Sequence, residues 1–143
     1  MRVLIIEDRQ ALAEEYLRIF GHLLKGDYSY THVPSIEAAI DPLDGENWDV
    51  ILVDNELGAG GLFPPKGVDE KNATRISNGY DLVKFRRDVE CDDDDIHKSY
   101  IIGIAANQVA LAFFKNVGTD DEILKLNIPG MAFRINDIAP PNT

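Results

Sequence analysis

Three acids and one lysine stand where apolar runs meet polar chain. Glu7 and Asp8 follow Val3-Leu4-Ile5-Ile6, Asp54 follows the run from Trp48 to Val53, and Lys125 lies in the run from Ile123 to Leu126. If these runs are strands of one parallel sheet, the four side chains share one rim. Three carboxylates packed together repel, and their pKa values rise unless a cation joins them. A hard divalent ion with oxygen ligands answers that repulsion, and Mg²⁺ suits a site of few carboxylates completed by water. Such an ion, together with the Lys125 ammonium, would neutralise a phosphoryl group arriving at Asp54. An aspartate carboxylate is itself a nucleophile and forms an aspartyl-phosphate. Each residue alone has a plainer use. Glu7 and Asp8 suit the positive end of a following helix, Asp54 a strand-end turn, and Lys125 a solvated surface. It is their conjunction that points to chemistry.

The elements that must position them follow from periodicity. Val3 to Ile6 is a short continuous apolar run, the pattern of a strand covered on both faces. Residues 10–24 place Leu12, Tyr16, Ile19, Phe20 and Leu23 at helical spacing. Tyr28 to Val33 alternates and is rich in aromatic and β-branched residues, which predicts an edge strand. Ser35 caps a helix bearing Ile36, Ala39, Ile40 and Leu43. Trp48 to Val53 predicts a third strand. A third helix carries Leu82, Phe85, Arg86 and Val89 on one face. Tyr100 to Ile104 predicts a fourth strand, Asn107 caps a helix with Ala110, Phe113, Phe114 and Val117, and Ile123 to Leu126 predicts a fifth strand holding Lys125. Ile128, Met131, Ala132 and Ile135 give a last short helix.

Residues 55–78 contain Gly58, Gly60, Gly61, Pro64, Pro65 and Gly67 with no sustained period. They read as one long loop, either a lid or docking loop or a tolerated insertion. Asp92 to Asp95 reads as a solvated acidic connection. Strands alternating with helices predict an α/β fold with a parallel sheet and right-handed crossovers. Functional residues in such sheets gather at the carboxyl ends of the strands.

The chain's 143 residues suit a single domain, read as 1–138 with 139–143 as a tail or linker start. Its formal charge of −11 repels phosphate backbones and anionic lipid, which argues against direct nucleic-acid or membrane-surface binding. The one cysteine, Cys91, excludes an internal disulfide and a multi-Cys zinc site. No apolar run is long enough to cross a bilayer, and the first residues lack a signal-peptide pattern, so the expected location is the cytoplasm.

Five blocks, taken in order, resemble the receiver domain of two-component response regulators. They are Leu4-Ile5-Ile6-Glu7-Asp8, Trp48-Asp49-Val50-Ile51-Leu52-Val53-Asp54, Asn78-Gly79-Tyr80-Asp81-Leu82-Val83, Ile101-Ile102-Gly103-Ile104-Ala105-Ala106, and Gly118-Thr119-Asp120-Asp121-Glu122-Ile123-Leu124-Lys125. The resemblance implies a CheY-like, flavodoxin-like three-layer α/β fold, with five parallel strands in the order 2-1-3-4-5 flanked by five helices. It implies Asp54 as phosphoacceptor. Glu7 and Asp8 would hold Mg²⁺ directly or through water, with Asp54 and the backbone carbonyl of Glu56, and Lys125 would pair with a phosphoryl oxygen. The donor would be a histidine kinase or a histidine phosphotransfer protein, and the output a downstream protein target rather than an enzymatic product. The fifth strand and last helix border a surface that receivers use to pair, which leaves a possible homodimer through the strand-five side.

The sequence also departs from that family. Ala105 stands where a Thr or Ser usually turns toward the phosphoryl group. Glu122 stands at the aromatic switch position, three before the lysine. Leu126 replaces the proline that usually follows it. These departures favour an alternative, a receiver-like interaction module whose output does not depend on phosphate. A metal-dependent hydrolase of the haloacid dehalogenase type is a further reading. It expects a second Asp two residues past the nucleophile, where this chain has Glu56.

Overall fold

The structure, a computed structural model, describes residues 1–58, 60–63 and 74–138. The chain runs β1 (Arg2–Ile6), α1 (Gln10–Leu23), β2 (Ser29–Val33), α2 (Ile36–Gly45), β3 (Val50–Asp54), β4 (Gly61–Phe63), β5 (Thr74–Ile76), α3 (Gly79–Asp92), β6 (Tyr100–Ala105), α4 (Gln108–Val117), β7 (Asp121–Leu124) and α5 (Ile128–Ile138). Five strands form one parallel sheet in the order β2-β1-β3-β6-β7. In main-sheet numbering this is the expected 2-1-3-4-5.

Alternation along the central strands builds two cores. Leu4, Ile6, Ile51, Val53, Ile101 and Ala105 face α2, α3 and α4. Val3, Ile5, Val50, Leu52, Ile102 and Ile104 face Tyr16 and Phe20 of α1 and Met131, Ala132 and Ile135 of α5. Both faces of β3 are therefore buried, which explains its uninterrupted apolar run. In β2 only Val33 is fully buried, as an edge strand allows. Each buried aliphatic side chain contributes about 1.5–3 kcal/mol, so the two cores fix the register and with it the rim. Capping follows the sequence: the Ser35, Asn78 and Asn107 side chains accept from the amides of Ala38, Asp81 and Ala110 at 3.0, 3.0 and 2.9 Å.

Gly103 lies where the sheet meets the Phe114 ring. A Cβ there would lie 2.4 Å from the ring, so a hydrogen at this position is what lets α4 sit flat on β6. Arg86, fully buried, is the internal brace between α2, α3 and the approach to β6. Its guanidinium donates to the Leu43 and Glu46 carbonyls at 2.8 and 2.7 Å, to Ser99 Oγ at 3.0 Å and to Glu90 Oε2 at 3.0 Å.

Three expectations need correction. Residues 55–78 are not one structureless loop: β4 and β5 pair antiparallel, with Gly61 opposite Ile76 and Phe63 opposite Thr74. Three-residue strands carry too short an alternation to be read. Residues 59 and 64–73 lie outside the described residues, as does the 139–143 tail. The strand expected from Trp48 begins at Val50 instead. The Trp48 ring is buried beside α2, its indole N–H donates to the Pro42 carbonyl at 3.0 Å, and the Arg2 guanidinium lies 4.2 Å over it. Finally, β7 ends at Leu124, so Lys125 occupies the turn after the strand rather than the strand itself.

Candidate functional site

Four strand ends converge at the carboxyl rim. β1 ends at Ile6, and Glu7 leaves it with its amide donating to the Val33 carbonyl of β2 at 3.2 Å. Asp54 is the last residue of β3. Ala105 ends β6, and its carbonyl accepts from the Lys125 amide at 2.8 Å, which pins the lysine to the same rim. Gly79 closes the floor behind Asp54: a Cβ there would overlap the Asp54 carbonyl, and its amide donates to the Asn55 carbonyl at 3.2 Å.

The side chains then meet. Glu7, Asp8 and Asp54 each offer a carboxylate oxygen within 4.8 Å of the others. Lys125 Nζ donates to Asp54 Oδ2 and lies 3.8 Å from Glu7 Oε1. The Glu56 amide donates to Asp54 Oδ1 at 3.0 Å, so both oxygens of Asp54 are engaged. Glu7 and Asp54 are each 1% exposed and Lys125 8%, while Asp8 is open to solvent and forms the mouth. The contact seen for Glu56 thus runs through its amide.

Charge is not balanced within this cluster. Burial, then the neighbouring Asp54 carboxylate, push the Glu7 carboxyl up from 4.5 to about 8, with the Lys125 charge only partly opposing them. Glu7 Oε1 accepts from the Arg9 amide at 3.2 Å, but Oε2 is buried with no hydrogen-bond partner among the described residues. A buried carboxylate oxygen without a donor is costly. A proton satisfies it, and so does a cation. The donor set is all carboxylate oxygen, which fits a hard divalent ion such as Mg²⁺ and does not suit a soft one.

The place of two neighbours beside the site did not read from the sequence. The His32 ring lies with Nε2 2.6 Å from the Glu7 carbonyl, which can only accept, so Nε2 carries the proton and holds the backbone of the metal-binding candidate. Its position, one residue before the end of β2, brings it to the rim only through the β1–β2 register that pairs it with Ile5. Tyr16 of α1 is fully buried with its hydroxyl unpartnered, and burial followed by the Glu7 and Asp54 charges pushes its phenol far above the usual range.

The two switch positions are visible. Ala105 is fully buried and offers no hydroxyl. Glu122 is tied down: Thr119 Oγ1 donates to its Oε2 at 2.9 Å, and Lys115 of α4 lies 3.7 Å from its Oε1. The structure therefore brings Glu7, Asp8, Asp54 and Lys125 together, while the Glu122 carboxylate turns to Thr119 and Lys115.

No protein-family model and no curated protein matches this sequence. Solved structures do. A CheY-like response regulator receiver domain from Methylobacillus flagellatus superposes with a TM-score of 0.69 at 19% identity, over 96% of this chain and 98% of that one. The receiver domain of a Francisella response regulator gives 0.69 at 18% identity, over 96% and 94%. A Burkholderia pseudomallei response regulator solved with a phosphorylated aspartic acid, a calcium ion and citrate gives 0.63 at 16% identity, over 95% of this chain and 71% of that one. The fold of this chain is the CheY-like receiver fold.

Proposed function

We propose that this protein is a signalling receiver that accepts a phosphoryl group on Asp54. The observation that carries the reading is the convergence of Glu7, Asp8 and Asp54 within 4.8 Å, with the Lys125 ammonium on the Asp54 carboxylate, at the carboxyl rim of a parallel sheet. Support also comes from the receiver fold and from the Burkholderia relative, whose own structure contains a phosphorylated aspartic acid.

The chemistry uses residues already in position. Asp54 attacks phosphorus, an O–P bond forms, and the donor's N–P bond breaks as the imidazole of a phosphohistidine leaves with one proton from solvent. Phosphohistidine fits as donor because its N–P bond is readily broken, and a histidine kinase or phosphotransfer protein would carry it. The Glu56 amide fixes the rotation of the Asp54 carboxylate. Lys125, already against that carboxylate, supplies its charge to a phosphoryl oxygen as negative charge accumulates. Glu7, Asp8 and Asp54 would hold Mg²⁺, which supplies the further positive charge that a phosphoryl group needs beside three carboxylates. The signal then passes by contact to a downstream protein.

The test is labelling by acetyl phosphate in Mg²⁺, read by intact mass. One phosphoryl group should add to the wild-type chain and none to Asp54→Asn. Labelling that survives in Asp54→Asn would refute the assignment. A second reading rests on Ala105 and on Glu122, held by Thr119 and Lys115: a receiver-like interaction module with phosphate-independent output. Partner affinity unchanged by labelling would select it.

A further inference from the structure

The Thr-and-aromatic readout of receivers has no counterpart at Ala105 and Glu122, so a signal from Asp54 needs another route to the helix surface. One continuous set of contacts leaves Asp54 in a different direction. Asn55 follows it directly. Its backbone is clamped on both sides, the amide donating to the Ile104 carbonyl at 3.0 Å and the carbonyl accepting from the Gly79 amide at 3.2 Å. Its side chain donates from Nδ2 to the Tyr80 hydroxyl at 3.4 Å. That hydroxyl donates in turn to the Ala110 carbonyl, in the first turn of α4, at 2.7 Å. The Tyr80 ring packs against Phe114 at 4.5 Å and Phe113 at 6.0 Å between centroids. Three elements meet on one side chain: the segment leaving β3, the start of α3 and the start of α4.

We propose that phosphoryl occupancy of Asp54 is transmitted to α4 through Asn55, Tyr80 and the Ala110 carbonyl, with Tyr80 replacing the missing switch pair. This deepens the phosphoacceptor reading and rests on it. The chemistry of the phenol suits the task. One hydroxyl has one proton to give and lone pairs to accept, so it serves Asn55 and Ala110 at once. Burial raises the Tyr80 phenol above its ordinary value, with the Asn55 hydrogen bond partly opposing it, and a phenol keeps its proton at neutral pH in any case. The two links are unequal. The bond to Ala110 is short, while the bond from Asn55 is at the limit of a hydrogen bond, so a small shift of the Asp54–Glu56 segment makes or breaks it. Gly79 packs directly on the Asp54 carbonyl, so the start of α3 follows the same shift. The readout surface is the outward face of α4, where Phe113 is 57% exposed beside Tyr80 and Val109 is 72% exposed.

The experiment is a titration with beryllofluoride and Mg²⁺, followed by backbone amide NMR, on the wild type, Tyr80→Phe and Asn55→Ala. Tyr80→Phe removes one oxygen and keeps the ring on Phe114. In the wild type, amides at Asp54, Glu56 and Lys125 should shift together with those of residues 107–111. In Tyr80→Phe the pocket amides should shift as before, while the shifts at 107–111 fall at least twofold, and Asn55→Ala should repeat that loss. Undiminished shifts at 107–111 in Tyr80→Phe, or none there in the wild type despite pocket shifts, would overturn the relay alone. No pocket shift in the wild type at saturating beryllofluoride would overturn the phosphoacceptor reading, and the relay with it.

Discussion

Mg²⁺ should displace a proton from Glu7. Its carboxyl is pushed up to about 8 because it is buried beside Asp54, and its Oε2 has no donor among the described residues. A carboxyl must ionise before it ligates a metal, so proton and metal compete for the same oxygens. With a pKa of about 8, roughly 1% of Glu7 is ionised at pH 6 and about half at pH 8. Apparent Mg²⁺ affinity should therefore rise about 50-fold between those two pH values, or about 2.3 kcal/mol, and level off above pH 9. Isothermal titration calorimetry at pH 6.5, in two buffers of different ionisation enthalpy, should count about one proton released per ion bound. Glu7→Gln cannot ionise, so its binding should be weaker and flat over the same range. An affinity independent of pH in the wild type, with no proton released, would show that Glu7 is already charged and that the cluster is balanced without a cation.

The same carboxyl sets a stability trend. Its folded-state value lies above its unfolded value of 4.5, so the stability it gives is fully present below pH 4.5 and is lost as the pH rises through about 8. The metal-free melting temperature should accordingly fall from pH 6 to pH 9 more steeply in the wild type than in Glu7→Gln, and Mg²⁺ at pH 9 should raise it more in the wild type than in Glu7→Gln. Gly103→Ala forces a methyl into the Phe114 ring and should lower urea-unfolding stability by about 1–3 kcal/mol. Arg86→Ala leaves the Leu43 and Glu46 carbonyls without their buried donor and weakens the hold on Glu90. The cost should be about 3 kcal/mol by the same assay, the low end for a broken buried pair because Arg87 still holds Glu90 at 2.7 Å.

The parts legible in the sequence were those with a short period or a strand end. Val3 to Ile6 and the run from Trp48 to Val53 read as strands, the second starting two residues late at Val50 and closing on Asp54, because both faces of each are covered. The caps at Ser35 and Asn107 read from side-chain chemistry alone. The hairpin β4–β5 did not read, since three residues on each side cannot display a period against a background of glycine and proline. Arg86 read as one residue of an apolar helix face, but nothing local announces that its guanidinium reaches Leu43, Glu46 and Ser99. The parts played by His32, Tyr16 and Tyr80 were not legible for a related reason. Each reaches the site or its surroundings through packing between elements far apart in the chain, which a window of a dozen residues does not contain.

The proposed acceptor cluster and the departures around it therefore differ in how the fold constrains them. Glu7, Asp54 and Lys125 are held by strand register: shifting one strand by a residue would exchange the side chains that fill the two cores, so the rim geometry is as secure as the sheet. Ala105 shares that security, since its carbonyl carries the Lys125 amide whatever its side chain is. Replacing a hydroxyl there by a methyl leaves the acid cluster and its lysine in place. It removes only the group that would have turned toward the phosphoryl. The other contacts of α4 with the rim, from Tyr80 to Ala110 and from Lys115 to Glu122, run through side chains and are free to change without disturbing the sheet. Under the proposed function, acceptance and readout are thus physically separable in this fold. On that proposal the output is rerouted, and Tyr80 is the side chain that joins the segment after Asp54 to the start of α4.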